Sequence, residues 1–227
     1  MAVGTEEDVA DTRLHLTPAP VAAEGRRSLW HTRHVIPAEL LLEAYATGWF
    51  PMGVDDRGAG GGVEWFSPNP RGILPLDTFS VSSRLARTIR QGRFDIAIDR
   101  AFEAVMRSCA ARDETWITEE IVESYVGLFH RGFAHSVEAW QDGRLVGGLY
   151  GVALRGAFFG ESMFHEVTDA SKVALHALVE RMRARSYCLL DVQWVTPHLA
   201  TFGAIQVPRR KYLKLLEDAL AKDCQFG

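Results

Sequence analysis

The run Leu189-Leu190-Asp191-Val192-Gln193-Trp194 sets a carboxylate and an amide two positions apart in otherwise apolar surroundings. As a strand, its two-residue period puts Asp191 and Gln193 on one face and Leu190, Val192 and Trp194 on the other. Burying either polar group without a hydrogen bond costs roughly 2–7 kcal/mol, so the pair demands partners. Those partners are either a network internal to a sheet or a reacting centre where a proton is moved or held, and this strand by itself leaves both open. A second candidate is Glu161 in Gly160-Glu161-Ser162-Met163-Phe164, a carboxylate interrupting two apolar runs. Gly160 is expected to allow close backbone approach there. An acid in an apolar cleft binds an amine or ammonium; the plainer alternative is a strand end facing solvent. Ser162 is not a hydrolase nucleophile, because Phe164 stands where G-x-S-x-G needs its second glycine.

Arginines offer a different chemistry. Arg84, Arg87 and Arg90 recur every three residues with Arg93 just beyond, and Arg209-Arg210-Lys211 opens another segment. Either cluster suits phosphates, and either also suits a solvated helix face. Trp116 in Thr115-Trp116-Ile117-Thr118 is placed to stack a base ahead of a helix, against the ordinary fate of a buried indole. The eight histidines show no H-E-x-x-H or other ligand spacing, so no catalytic metal is expected. No phosphate-binding G-x-x-x-x-G-K-[ST] and no G-x-G-x-x-G opening a helix occurs, which disfavours nucleoside triphosphates and dinucleotides. Cys109, Cys188 and Cys224 stand in separate segments, against a zinc site and a disulfide framework; Cys109 and Cys188 are expected as inert core thiols.

The elements that must hold these groups can be traced along the chain. At 227 residues with 47% apolar and 24% charged content, the chain is long enough for a full core and ordinary enough to exclude fibrous and disordered classes. Residues 1–28 are expected as a mobile tail, 29–78 as a small N-terminal α/β module and 79–227 as the main domain. In the module, Pro37 to Gly48 has a helical stripe, and a Gly-rich stretch, 55–62, separates Trp49-Phe50-Pro51-Met52 from Trp65-Phe66-Ser67-Pro68. Beyond it come a helix from Ser82, a strand Phe94–Ile98, a helix capped by Asp99 and a helix following Thr118. Residues 134–163 then change to strand periodicity in three runs joined by Asp142-Gly143 and Arg155-Gly156, an antiparallel meander. Asp169 is expected to cap the next helix, a strand covers Tyr187–Trp194, and a last helix covers Arg209–Leu220. The fold class is α+β, a mostly antiparallel sheet flanked by helices. No apolar run reaches the ~18 residues of a spanning helix, the start carries acidic residues where an export signal needs basic ones, and the net charge is -4. A cytoplasmic protein away from the membrane is expected.

In order along the chain, Leu41-Leu42-Glu43-Ala44-Tyr45 with Gly48-Trp49-Phe50-Pro51, Trp65-Phe66-Ser67-Pro68-Asn69-Pro70-Arg71, Thr115-Trp116-Ile117-Thr118, Leu145-Val146-Gly147-Gly148-Leu149-Tyr150-Gly151, Gly160-Glu161-Ser162-Met163-Phe164, Ala170-Ser171-Lys172 and Leu190-Asp191-Val192-Gln193 resemble the bacterial leucyl/phenylalanyl-tRNA–protein transferase family. The resemblance runs from about residue 38 to 216. It implies an acyl-CoA N-acyltransferase-like domain in which aminoacyl-tRNA, a co-substrate, replaces coenzyme A, with no cofactor and no metal. It implies transfer of Leu or Phe, and less readily Met, from Leu-tRNA or Phe-tRNA to the α-amine of a protein beginning with Arg or Lys, by a monomer, creating an N-terminal degradation signal. By resemblance Asp191 takes or orients the amine proton, Gln193 supports the reacting centre and Glu161 helps hold the basic N-terminus. Leu149, Phe158, Leu175, Leu178 and Leu190 line the aminoacyl side-chain pocket. Trp116 stacks the terminal adenosine, with Met52 standing where the family often has Trp and Trp65 as its possible substitute. Arg84, Arg87, Arg90, Arg209 and Arg210 hold acceptor-stem phosphates. A coenzyme-A-dependent N-acyltransferase and a non-catalytic tRNA- or protein-binding module are the alternatives.

Overall fold

A computed structural model describes residues 35–54, 62–112 and 115–227. The tail 1–28 and nearly all of the Gly-rich stretch lie outside the described residues. In chain order the elements are α1 (Ala38–Ala46), β1 (Phe50–Val54), β2 (Gly62–Phe66), β3 (Arg71–Ile73), α2 (Ser83–Arg90), β4 (Asp95–Ile98), α3 (Phe102–Ala110) and α4 (Glu119–His130). They continue with β5 (Ala134–Gln141), β6 (Arg144–Leu154), β7 (Ala157–His165), α5 (Ala170–Ala184), β8 (Leu189–Gln193), α6 (Pro197–Ala200), β9 (Ile205–Val207) and α7 (Arg209–Leu220).

Local chemistry sets many of these boundaries. Ser82 accepts a hydrogen bond from the Leu85 amide, Thr118 from Ile121 and Thr196 from Leu199, so each caps orphan donors at a helix start. Asp169 stands at the N-cap position of α5 but makes no side-chain capping bond, and Asp99 lies ahead of the α3 N-cap, which is Ala101. Asp99, at φ 58, accepts from the Ser136 amide at 2.8 Å and pairs with His135 at 2.7 Å, stitching the α3 approach to β5. Asp169, at φ 73, turns its carboxylate to Lys172 at 3.0 Å, with Arg84 at 3.6 Å. Both are left-handed turn positions, where an Asp side chain bonds away from the amides of the helix that follows.

β1 and β2 form a two-stranded antiparallel ribbon. The other strands form one sheet in the order β4-β5-β6-β7-β8-β3-β9, antiparallel at every junction except β7–β8. The meander β5–β7 is its centre, and Asp142 and Gly143 make its first turn at φ 51 and 73. β3, from a segment assigned by sequence to the N-terminal module, lies within this large sheet between β8 and β9. Strand alternation splits the core: Tyr150, Val152 and Phe159 meet Tyr45, Met106, Ile121 and Leu216 on the side of α1, α3, α4 and α7. Leu149, Phe158 and Leu190 meet Leu85 of α2 and Leu178 of α5 on the other. Each such fully buried side chain contributes about 1.5–3 kcal/mol of apolar burial, and the two layers clamp the sheet that carries the polar residues.

Candidate active site

The single parallel junction opens the sheet. β7 and β8 pair only through Ala157↔Leu189, Phe158↔Leu190 and Phe159↔Asp191, and no ladder joins them further on. Between the diverging ends, Gly160–Met163 on one side and Leu190 and Val192–Trp194 on the other, lies a cavity of about 290 Å³. A β-bulge aims Glu161 into it. The β6–β7 register steps from Tyr150↔Ser162 to Gly151↔Gly160, leaving Glu161 as the extra residue. The crowded glycine here is Gly151, where a Cβ would lie 2.2 Å from the Phe159 carbonyl oxygen; at Gly160 the nearest atom would be 3.6 Å away. The close approach expected at Gly160 thus falls on its partner across the ladder.

Asp191, Gln193 and Glu161 are brought together, and they are joined in series. Asp191 is fully buried and receives Arg71 through Nε at 3.0 Å and Nη2 at 2.8 Å, the Tyr212 hydroxyl at 2.6 Å and the Gln193 amide at 2.9 Å. Arg71, itself fully buried between the Phe50 and Tyr212 rings, also donates to the Gly48 carbonyl at 3.0 Å. Burial works against the Arg71 charge, and Asp191 more than offsets it, so the guanidinium is held above its usual range. Gln193, at φ 56, gives its side-chain amide to Glu161 at 3.3 Å. A non-glycine residue in that region is strained by ~1–3 kcal/mol, and the Asp191 bond to its amide helps keep it there.

Glu161 also accepts from Tyr45 at 2.7 Å and Tyr125 at 3.5 Å, and those two hydroxyls bond each other. Burial pushes the Glu161 carboxyl up to about 8, with the Asp191 charge adding to it; the tyrosine hydrogen bonds and Arg71 pull the other way. Among the three polar candidates, Glu161 and Gln193 line the cavity, whereas Asp191 stands behind them, bonded to the Gln193 backbone amide.

Four of the five expected pocket residues, Leu149, Leu175, Leu178 and Leu190, line one wall, with Met163 beside them. Phe158 does not line it: it is packed under Phe226 at 5.1 Å, below the point where β7 and β8 part. Trp116 and Met52 line the cavity; Trp65, paired with Pro51 in the ribbon, does not. Two aromatic residues not singled out as binding residues in the sequence, Phe50 and Trp194, complete the opening, edge-on at 5.4 Å. Trp194 is 44% exposed, because the strand ends at the left-handed Gln193 and the expected alternation stops there. Arg84, Arg87, Arg90 and Arg210 are exposed and away from the cavity wall. Arg209 is engaged in the fold, donating to the Ser67 carbonyl at 3.1 Å and lying over the Trp49 ring at 5.5 Å. Cys109 is buried, which pushes its thiol up to about 12; Cys188 is exposed, not in the core.

The family profile described as leucyl/phenylalanyl-tRNA protein transferase matches residues 73–217, and the profile of that enzyme's N-terminal domain matches residues 36–69. The chain belongs to this family. It is 53% identical over 188 residues to the leucyl/phenylalanyl-tRNA–protein transferase of Gloeobacter violaceus, covering 83% of this chain and 96% of that one. Over 196 residues it is 54% identical to the transferase of Herpetosiphon aurantiacus, covering 86% and 100%. Over another 196 it is 55% identical to that of Paramagnetospirillum magneticum, covering 84% and 92%. As a leucyl/phenylalanyl-tRNA–protein transferase the chain is an aminoacyltransferase, with an aminoacyl-tRNA and a protein as its substrates. Among the described residues no helix is long and apolar enough to cross a membrane.

Proposed function

We propose that the cavity between β7 and β8 joins Leu or Phe, and less readily Met, carried on tRNA to the α-amine of a protein beginning with Arg or Lys, marking that protein for degradation. One observation carries this reading: a single cavity sets a leucine wall opposite a carboxylate and an amide. The leucine wall suits an unbranched-at-Cβ apolar side chain, and Glu161 suits the cationic N-terminus. Phe50, Trp116 and Trp194 at the opening suit a stacked terminal adenosine, and the exposed Arg84, Arg87, Arg90 and Arg210 suit acceptor-stem phosphates.

The reaction forms a C–N bond and breaks a C–O bond. The free α-amine attacks the ester carbonyl, the tetrahedral intermediate collapses, the amine loses a proton and the ribose oxygen leaves with one. An aminoacyl ester is already activated and an α-amine has a pKa of about 8, so positioning rather than a strong base or a cofactor is the main requirement. Gln193, locked by Asp191, orients the reacting groups, and Arg71 and Tyr212 lock Asp191. We further assign the main domain to the acyl-CoA N-acyltransferase-like folds, on the parallel pair that splays within an antiparallel sheet, and place the protein in the cytoplasm as a monomer.

The test is transfer of labelled Leu from charged tRNA to a model protein with N-terminal Arg, run beside labelled acetyl-CoA. Leu transfer without acetylation is expected; acetylation, or tRNA binding with no transfer, overturns the reading in favour of a coenzyme-A enzyme or a binding module.

A further inference from the structure

Tyr150 is buried, contributes to the cavity wall, and carries the one buried side-chain oxygen or nitrogen among the described residues that has no hydrogen-bond partner. Its ring is fixed by edge-on contacts to Phe102 and Tyr125, both at 6.0 Å. It sits across from Ser162 at the bulge that aims Glu161, on the sheet face where Tyr45 and Tyr125 also lie. Those two neighbours have their hydroxyls on Glu161 and on each other, while that of Tyr150 is directed at nothing in the protein. A phenylalanine would keep every ring contact and avoid the cost of desolvating a hydroxyl without a partner. The fold therefore gains nothing from this oxygen, which points to a ligand as its partner.

We propose that the Tyr150 hydroxyl is a positioning group for the acceptor, accepting a hydrogen bond from the same nitrogen cation that Glu161 holds. The inference rests on the acceptor reading above. An ammonium or guanidinium brings several N–H donors into a cavity walled mainly by aliphatic and aromatic residues, and one carboxylate does not satisfy them all. Glu161 Oε1 is already bonded by Tyr45 and Gln193, whereas Oε2 accepts only the long 3.5 Å bond from Tyr125 and keeps lone-pair capacity for the cation. A second acceptor close by completes its shell, and Tyr150 supplies one. Burial and the neighbouring Glu161 charge raise the phenol well above its ordinary range, so the group stays neutral, with its lone pairs available.

The test is Tyr150→Phe in the full chain, with saturating Leu-tRNA and a peptide beginning with Arg. The KM for the peptide should rise about tenfold, the ~1.4 kcal/mol of one hydrogen bond to a charged group. kcat and the KM for Leu-tRNA should stay within about twofold, and the melting temperature should be unchanged or higher. Tyr125→Phe, which removes bonds to Tyr45 and Glu161, should instead lower the melting temperature. A peptide beginning with citrulline distinguishes the two sources of the cation: a tenfold loss that persists assigns the α-ammonium, and one that vanishes assigns the guanidinium. An unchanged peptide KM in Tyr150→Phe, or a lower melting temperature with both KM values moved alike, overturns the proposal. Absence of any transfer by the wild-type protein overturns the acceptor reading itself, a different failure.

Discussion

Glu161 makes the fold less stable as it ionises, and that effect can be measured without any substrate. In the folded protein its carboxyl holds its proton up to about 8, against an ordinary value of 4.5. Between those two values the folded state binds more protons than the unfolded chain, so stability falls as pH rises through the window and is level outside it. At 1.36 kcal/mol per pH unit the full displacement would be several kcal/mol; discounted for a side chain partly open to the cavity, about 2 kcal/mol is expected. For a chain of this length that corresponds to a melting-temperature change of ~4–8 °C. The assay is thermal unfolding of wild type and Glu161→Gln from pH 5 to pH 8.5, read as the difference between the two so that other titrations cancel. The difference should be small at pH 5 and move against wild type toward pH 8.5. Parallel curves, or a wild type that gains on the variant as pH rises, would refute the reasoning. The same ionisation predicts that a peptide beginning with Arg, on binding at pH 7, releases up to about one proton, seen as a buffer-dependent calorimetric heat.

Asp191→Asn leaves Arg71 as an uncompensated buried charge and should cost about 3–5 kcal/mol in denaturant unfolding; a loss under 1 kcal/mol would mean the pair is not shielded as described. Where the same variant stays folded, kcat should fall with little change in the KM for Leu-tRNA, because Asp191 acts by holding Gln193. Gly72→Ala places a Cβ 2.8 Å from the Trp194 carbonyl carbon, so it should displace the Gln193 turn and reduce transfer at least tenfold, and full activity would contradict the close packing. Leu190→Ala enlarges the leucine wall and should raise the Phe-to-Leu transfer ratio in a competition assay by about tenfold; an unchanged ratio would remove Leu190 from the side-chain pocket.

What was legible in the sequence was what neighbours in sequence decide. The helix starts at Ser82 and Thr118, the turn at Asp142-Gly143 and the meander it begins all depend on residues within a few positions of one another. Asp99 and Asp169 show the limit of that logic: both carry the residue type of a cap, but their backbone turns left-handed and their carboxylates find other partners. Glu161 and the Asp191–Gln193 pair were visible because ionic and amide groups in apolar runs need an explanation. Their arrangement was not visible, since the Arg71 that closes on Asp191 lies 120 positions away and Tyr212 comes from the last helix. That wiring places Asp191 behind the cavity wall, bonded to the Gln193 backbone amide. Of the five residues that the resemblance places around the aminoacyl side chain, four line the cavity and Phe158 does not. Its register opposite Leu190 places it on the correct face, but the cavity begins one step later, where the strands part. β9 and α6 are too short, at three and four residues, for periodicity to show them.

The central claim is that both substrates meet in the gap between β7 and β8. The most direct measurement is a crystal structure with leucyl-adenosine in which a 3′-amide replaces the labile ester. The account predicts the leucyl side chain against Leu149, Leu175, Leu178 and Leu190, the carbonyl carbon facing Gln193 and Glu161, and the adenine at Trp116 and Trp194. A leucyl group bound outside that gap, or lodged in it with its carbonyl turned away from Gln193, would contradict it.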